Sequence, residues 1–174
     1  MSNQPDTNST MGYFLRPVRR DDSATLIALI DGVYREYGDR ICLENYDSDL
    51  FEVPDVYEAK GGAIVVACED NGTIAGVHAS IPIDGQQELF TFRRLYVAPQ
   101  YRGTTPVGRL LMQWAIDYAR ARGAKRIEFW SDTRFTRAHS FFKKFGFTST
   151  GEVRTLTDSW EPYSEFFFYL NLNR

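Results

Sequence analysis

Residues 95–123, LYVAPQYRGTTPVGRLLMQWAIDYARARG, read as the end of a strand, a glycine-bearing turn and an amphipathic helix in immediate succession. Leu95, Tyr96 and Val97 close the strand and Pro99 stops it. Apolar residues then recur at Val107, Leu110, Leu111, Trp114, Ala115, Tyr118 and Ala119, the spacing of one helical face, and Gly123 ends the helix. Between strand and helix lie Arg102, Gly103, Thr104, Thr105, Gly108 and Arg109, where a helix leaves several backbone N–H groups without partners. Those N–H groups and the positive end of the helix dipole favour a phosphate or pyrophosphate. Glycines let the backbone approach it and arginines neutralise its charge.

Two common nucleotide loops do not fit these letters. A P-loop needs G-x-x-x-x-G-K-[ST]; Gly103 and Gly108 have that separation, but Arg109 and Leu110 follow, so the magnesium-binding hydroxyl is missing. A dinucleotide fingerprint needs G-x-G-x-x-G, a glycine spacing this turn lacks. Instead, residues 95–103, LYVAPQYRG, followed by Gly108 and a long helix, resemble the acetyl-CoA pyrophosphate loop of the GNAT superfamily of N-acetyltransferases. Residues 138–147, AHSFFKKFGF, are similar to that superfamily's second cofactor-side motif, a short helix ending in Gly-Phe before a strand. The two motifs stand in the right order, and the resemblance runs from about Leu89 to Phe147.

The resemblance implies an α/β (α+β) fold, a mixed and mostly antiparallel sheet flanked by helices, with a parallel, splayed pair formed by the strands on either side of the long helix. It also implies acetyl-CoA as cosubstrate, no metal, and direct transfer in a ternary complex to a primary amine of a small molecule or peptide. The alternative is a non-catalytic acyl-CoA sensor or partner protein of the same fold. By the same resemblance, Tyr96 and Val97 supply main-chain contacts to the cofactor arm. Arg102, Gly103, Thr104, Thr105, Val107, Gly108 and Arg109 surround the pyrophosphate. The loop departs from the family pattern: Thr104-Thr105-Pro106 lengthens it where a further glycine is usual, and Pro106, suited to the first helical position, removes an N–H donor that the threonine hydroxyls can replace. Phe142, a cofactor-side wall, stands where relatives often carry a tyrosine acid, and Phe135 where they carry asparagine. For proton transfer the sequence offers Glu88 through water and Tyr163 as donor. His78, His139, Trp114 and the stripe Phe141, Phe142, Phe145 read as structural.

Length and composition set the limits. At 174 residues the chain fits one domain, residues 12–174, behind a polar tail, residues 1–11, expected to be disordered. A net charge of -3 with no basic stripe argues against nucleic acid as a partner. The longest apolar runs, residues 62–68 and 166–170, fall well short of the roughly 20 residues of a membrane helix. The polar N-terminus has no leader pattern, so the cytoplasm is expected; Cys42 and Cys68 read as free thiols, and a homodimer is among the assemblies the sequence allows.

Around the central stretch the pattern predicts a strand over 13–18 and a helix with Leu26, Ile27, Ile30, Val33, Tyr34 and Tyr37 on one face, capped by Asp21 or Asp22. Pro54 opens a short helix. A hairpin turns at Asn71-Gly72, and a bulge at Arg93-Arg94 breaks the alternation of the next strand. A strand over 126–131 follows the long helix, then a short helix capped by Asp132 or Thr136. Closing strands span about 148–156 and 166–172. Between Glu36 and Glu58 stand eight acidic residues and one basic, Arg40, an acidic lip expected to draw a cationic amine.

Overall fold

The structure, a computed structural model, describes residues 9–84 and 86–172. Eleven elements follow in chain order: β1 (Tyr13–Pro17), α1 (Ser23–Arg35), α2 (Asp55–Glu58), β2 (Ala63–Glu69), β3 (Ile74–Ile83), β4 (Gln86–Val97), α3 (Val107–Ala121), β5 (Arg126–Asp132), α4 (Thr136–Lys144), β6 (Thr148–Leu156) and β7 (Tyr163–Asn171). The strands form one 7-stranded sheet in the order β1-β2-β3-β4-β5-β7-β6. Every neighbouring pair is antiparallel except β4 and β5. Those two meet only at Leu89–Arg126 and Phe90–Ile127, so from Thr91 onward they diverge and leave the facing edges without a ladder. A strand–helix–strand crossover makes the pair parallel, and the splay expected from the resemblance is present.

Helices cover both faces. The stripe Leu26, Ile30 and Tyr34 of α1, with Tyr57 of α2, packs on Val66, Val77, Ala79 and Ile81. On the other face Val107 and Leu111 of α3 lie on Val65, Ala67 and Ala75, while Met112, Ala115 and Ala119 join an aromatic cluster with Phe90, Phe129, Phe142 and Phe168. Leu26, Ile30, Leu111 and Met112 are fully enclosed, and each such side chain contributes about 1.5–3 kcal/mol. Gly76 lets α3 sit this close: a Cβ there would fall 2.9 Å from Leu111 Cδ1 and 3.0 Å from the Tyr96 carbonyl.

The helix starts differ from the expected caps. Asp22 precedes α1, but its carboxylate accepts from the Arg19 amide at 2.7 Å and is gripped by Arg16, so it closes the preceding turn. Asp132 likewise binds the Arg134 amide, at 2.9 Å, and neither it nor Thr136 caps α4 with its side chain. Of the expected tail, residues 1–8 lie outside the described residues. Ser9 donates to Asp70, and Thr10 exchanges backbone bonds with Tyr13.

Candidate active site

The bulge in β4 determines which side chains meet at the splay. Val77 pairs with Tyr96 and Ala79 with Arg93, so the single residue His78 opposes both Arg94 and Leu95. Paired residues of an antiparallel ladder share a face. Arg93 therefore points, with Ala79, to the α1/α2 side. The extra residue, Arg94, adopts a positive φ of 61°, and its side chain reaches the same side. An unbulged strand would send consecutive side chains to opposite faces; here two arginines share one.

Arg94 is consumed at once. Its guanidinium donates to Asp47 at 2.6 Å, to Asp49, and to the Tyr46 carbonyl at 3.1 Å. Tyr57 donates to Asp49, and Tyr34 links Asp47 at 3.1 Å to the Tyr96 hydroxyl, also at 3.1 Å. Asp49 is pushed up by burial, but the Arg94 charge and the bonds from Arg94 and Tyr57 outweigh this and hold it below the ordinary carboxylate range. This corrects the acidic lip. Asp47 is fully buried, Glu36 pairs with Arg102, Asp39 with Arg134 and Asp55 with Arg20. The surplus is smaller than the sequence suggests: five of the eight acids are bound by four arginines from other elements, while Glu44, Glu52 and Glu58 have no ion pair among the described residues and Glu52 lines the cavity between the splayed strands.

A cavity of about 870 Å³ runs through the splay. On the α3/α4 side Phe92, Phe129 and Phe142 wall it, and on the α1/α2 side Tyr46, Arg93, Tyr163 and Glu165 do. Neither cysteine lines it. His78 is fully buried at the wall, and its Nδ1 lies 3.2 Å from the Arg93 carbonyl. A carbonyl only accepts, so Nδ1 carries the proton, and Nε2 is left as a lone pair with no partner among the described residues. Burial lowers this imidazole to about 4, so it is neutral at pH 7.

The Gly-bearing turn lies beyond the open end of the splay. Gly103 has φ 77°, and a Cβ there would stand 3.2 Å from a terminal nitrogen of Arg137, so α4 brings an arginine onto the loop. Pro106 occupies the position before the first helical residue. The Thr105 hydroxyl accepts from the Val107 amide at 3.3 Å and donates to the Tyr101 carbonyl at 2.5 Å. The next amides, of Gly108 and Arg109, have no backbone or side-chain acceptor among the described residues. Thr104 and Arg109 are exposed, whereas the Val107 side chain is buried in the core. Arg102 is turned inward: it binds Glu36 through both terminal nitrogens and donates from Nε to the Val97 carbonyl at 2.8 Å. The Ala98 amide bonds to Ala75 across the ladder. By alternation, Tyr96 presents its main chain to β3, and Val97 presents its main chain to the open edge. Free first-turn amides, a left-handed glycine and two nearby arginines fit an anionic pyrophosphate, and the unladdered β4 edge fits an extended amide-bearing arm.

Residues 28–147 match the model of the Acetyltransferase (GNAT) family. The chain belongs to that family. It is 29% identical over 122 residues, 70% of this chain and 74% of the relative, to an uncharacterized N-acetyltransferase of Schizosaccharomyces pombe. The fold resembles an acetyltransferase of Streptococcus agalactiae, with a TM-score of 0.78 and 22% identity over 94% of this chain and 100% of that one. It also resembles an acetyltransferase of Salmonella typhimurium solved with its cofactor acetyl-CoA, with a TM-score of 0.71 and 18% identity over 94% and 95% of the two chains. The protein is an acetyltransferase, and acetyl-CoA is the acyl donor consistent with its family.

The acetyltransferase does not bring all its sequence-predicted residues together. Glu88 lies near the start of β4, is 61% exposed, pairs with Lys125 at 2.6 Å and does not line the cavity. Tyr163 does line it; its hydroxyl donates to Asp158 at 2.8 Å, and burial together with that carboxylate keeps it protonated. Phe142 is both core and cavity wall, 4.9 Å from the Phe129 ring. His139 is buried away from the cavity, with Nε2 3.2 Å from the Ser131 hydroxyl. Trp114 packs on Tyr118 and His78, and Trp160 donates to the Ile41 carbonyl at 2.9 Å beneath Arg40. Two residues escaped the sequence reading. Arg137 meets Gly103 only in space. Glu165 lines the cavity from β7, nearly buried, with one carboxylate oxygen, Oε2, held by Arg154 at 2.6 and 2.7 Å. Its other oxygen has no partner among the described residues. Burial, opposed by Arg154, pushes this carboxyl up. The available signal was a glutamate placed immediately before the apolar run FFFYL, residues 166–170.

Proposed function

We propose that this acetyltransferase transfers the acetyl group of acetyl-CoA directly to a primary amine in a ternary complex, with donor and acceptor entering the splay from opposite faces of the sheet. The observation that supports this best is the cavity itself, which is lined by Phe92 and Phe142 on one face and by Arg93, Tyr163 and Glu165 on the other. No cysteine lines it to carry the group in between, so one step between two bound reactants is the economical route. The donor supplies an acetyl group activated as a thioester. Gly103, Gly108, Arg109 and Arg137 would hold its pyrophosphate, and the Val97 amide would meet its arm. Overall, the acceptor's ammonium loses two protons as its nitrogen bonds to the acetyl carbon and the carbon–sulfur bond breaks; one proton ends on the CoA thiol and the other passes to solvent.

Glu165 would accept that proton. It is a buried carboxyl with one free oxygen and a raised affinity for protons, which suits a base acting on an amine. The departing sulfur would leave as a thiolate and take its proton from water, because Phe142 has no donor and the Tyr163 proton is held in its bond to Asp158. Free thiols at Cys42 and Cys68 suit a reducing compartment such as the cytoplasm. The experiment is initial-rate kinetics with thiol detection while both substrates vary. Intersecting lines support the ternary complex, parallel lines would show an acetylated enzyme, and absence of thiol release with every amine would leave an acyl-CoA-binding protein.

A further inference from the structure

Four arginines line the cavity, and three are spent: Arg94 on Asp47 and Asp49, Arg134 on Asp39 and Asp132, Arg154 on Glu165. Arg93 is different. Half-buried on the α1/α2 face, it has no acceptor for any of its side-chain donors among the described residues, and the Tyr46 ring lies 5.8 Å from its guanidinium. Its backbone is fixed by pairing with Ala79 and by the His78 bond to its carbonyl. Asp47 and Asp49 carry two negative charges against the one on Arg94. Arg93 balances the second from beyond ion-pairing distance and leaves its whole fork of N–H groups for another partner.

The geometry points to an acceptor that carries a carboxylate beside its amine, an amino acid or a compound of that type, with the carboxylate bound by Arg93. This rests on the amine-acetylating reading above. A guanidinium matches a carboxylate through two parallel hydrogen bonds. The surrounding charge narrows the class further. Six carboxylates line the same cavity, Asp39, Asp49, Glu52, Asp132, Asp158 and Glu165, against Lys60 and the four arginines, so a phosphate dianion is disfavoured, and a polyamine would set a second cation against Arg93. A single carboxylate next to an ammonium satisfies both signs: the carboxylate meets Arg93, and the amine meets the free oxygen of Glu165.

The test pairs each common amino acid with the amine formed by removing its carboxyl group and measures thiol release from acetyl-CoA by the wild-type protein, Arg93→Gln and Arg93→Lys. At least one amino acid should be preferred over its decarboxylated partner. Arg93→Gln should raise the KM for that amino acid roughly 10- to 100-fold while leaving the KM of acetyl-CoA and of the plain amine within about twofold. Arg93→Lys, which keeps charge but not the fork, should fall between. Equal or better use of the decarboxylated amines by the wild type, or an unchanged preference in Arg93→Gln with native melting behaviour, overturns the proposal and leaves the transferase reading intact. Absence of thiol release with every amine overturns the reading beneath it.

Discussion

Arg94 Nη1 lies 2.6 Å from Asp47 Oδ1, with the arginine side chain 1% and the aspartate 0% exposed, and this contact ties the β4 bulge to the segment ahead of α2. Burial makes the pair asymmetric in its consequences. Removing Arg94 strands the charges of both Asp47 and Asp49, whereas removing Asp47 as well leaves only Asp49 without its cation. Arg94→Ala should therefore cost about 3–5 kcal/mol in urea denaturation, and adding Asp47→Asn to Arg94→Met should recover part of the loss. Arg94→Gly should be milder than Arg94→Ala, by about 1–2 kcal/mol, because φ 61° strains any residue with a Cβ. Additive losses in the double variant would show that the two side chains do not act as a pair.

How much of this was legible in the sequence depends on range. The bulge was readable because Arg93-Arg94 interrupts an alternation, and the splay because two motifs flank a crossover helix. Both are local patterns with a single physical cause. The fate of the charges was not readable. Eight acids within residues 36–58 look like a solvated lip, yet the partners of five of them, Arg20, Arg94, Arg102 and Arg134, come from a turn, a strand and loops outside that segment. Pairing across such distances is a property of topology. Glu88 and Glu165 show the same limit from the other side: both are carboxylates on strands next to the splay, and only the positions of their neighbours send one to solvent and the other to the cavity.

Gly108 separates cofactor binding from folding. A Cβ there meets Phe141 Cζ at 3.5 Å, an ordinary contact, and a glutamate in the first turn of α3 favours the helix dipole. Gly108→Glu should accordingly melt near the wild-type temperature. It should lose most of the upward shift that acetyl-CoA gives the wild type, because its carboxylate competes with the pyrophosphate for the Gly108 and Arg109 amides. Arg137→Ala should weaken the shift in part. An undiminished shift in both variants would move the pyrophosphate away from this turn.

Phe142 tests whether the wall also supports the core. Its ring stacks edgewise on Phe129 at 4.9 Å and on Phe168 at 5.3 Å and is almost wholly enclosed. Phe142→Ala should cost about 3–5 kcal/mol, measurable as a lower denaturation midpoint. A loss below about 1 kcal/mol would mean the ring faces the cavity more than the core.

His78 gives stability an acid limb. Its imidazole is held near 4 in the fold against about 6.5 when exposed, so the unfolded chain binds a proton that the folded chain refuses. The stabilisation is complete above pH 6.5 and is lost as pH falls toward 4, by up to about 3 kcal/mol. In His78→Asn the side-chain amide can still donate to the Arg93 carbonyl and cannot titrate. Its stability should be flatter between pH 7 and 4 even if lower at the plateau. Parallel curves for the two proteins would assign the acid limb to the carboxylates.

Glu165 carries the catalytic proposal, and its environment sets the sign of the pH dependence. Burial pushes the carboxyl up and Arg154 only partly opposes it, so the ionised form, the one able to take a proton, appears above the usual carboxylate range. Activity should rise with pH through that ionisation and be lost as pH falls below it. Glu165→Gln should lower kcat by roughly 10²- to 10⁴-fold, the range for a lost general base, and leave the acetyl-CoA melting shift in place. Its stability at neutral pH should not fall for want of the charge. A carboxyl raised by folding contributes stability below its unfolded value and gives it up as pH rises through the folded one, and Arg154, 44% exposed, keeps water as a partner. Arg154→Gln supplies the sharper reading. With the opposing cation gone, the acid limb of kcat/KM should move to higher pH while kcat at the alkaline plateau stays within a few-fold. An acid limb that stays where it was in Arg154→Gln, or that persists in the residual activity of Glu165→Gln, would assign the proton to a different group.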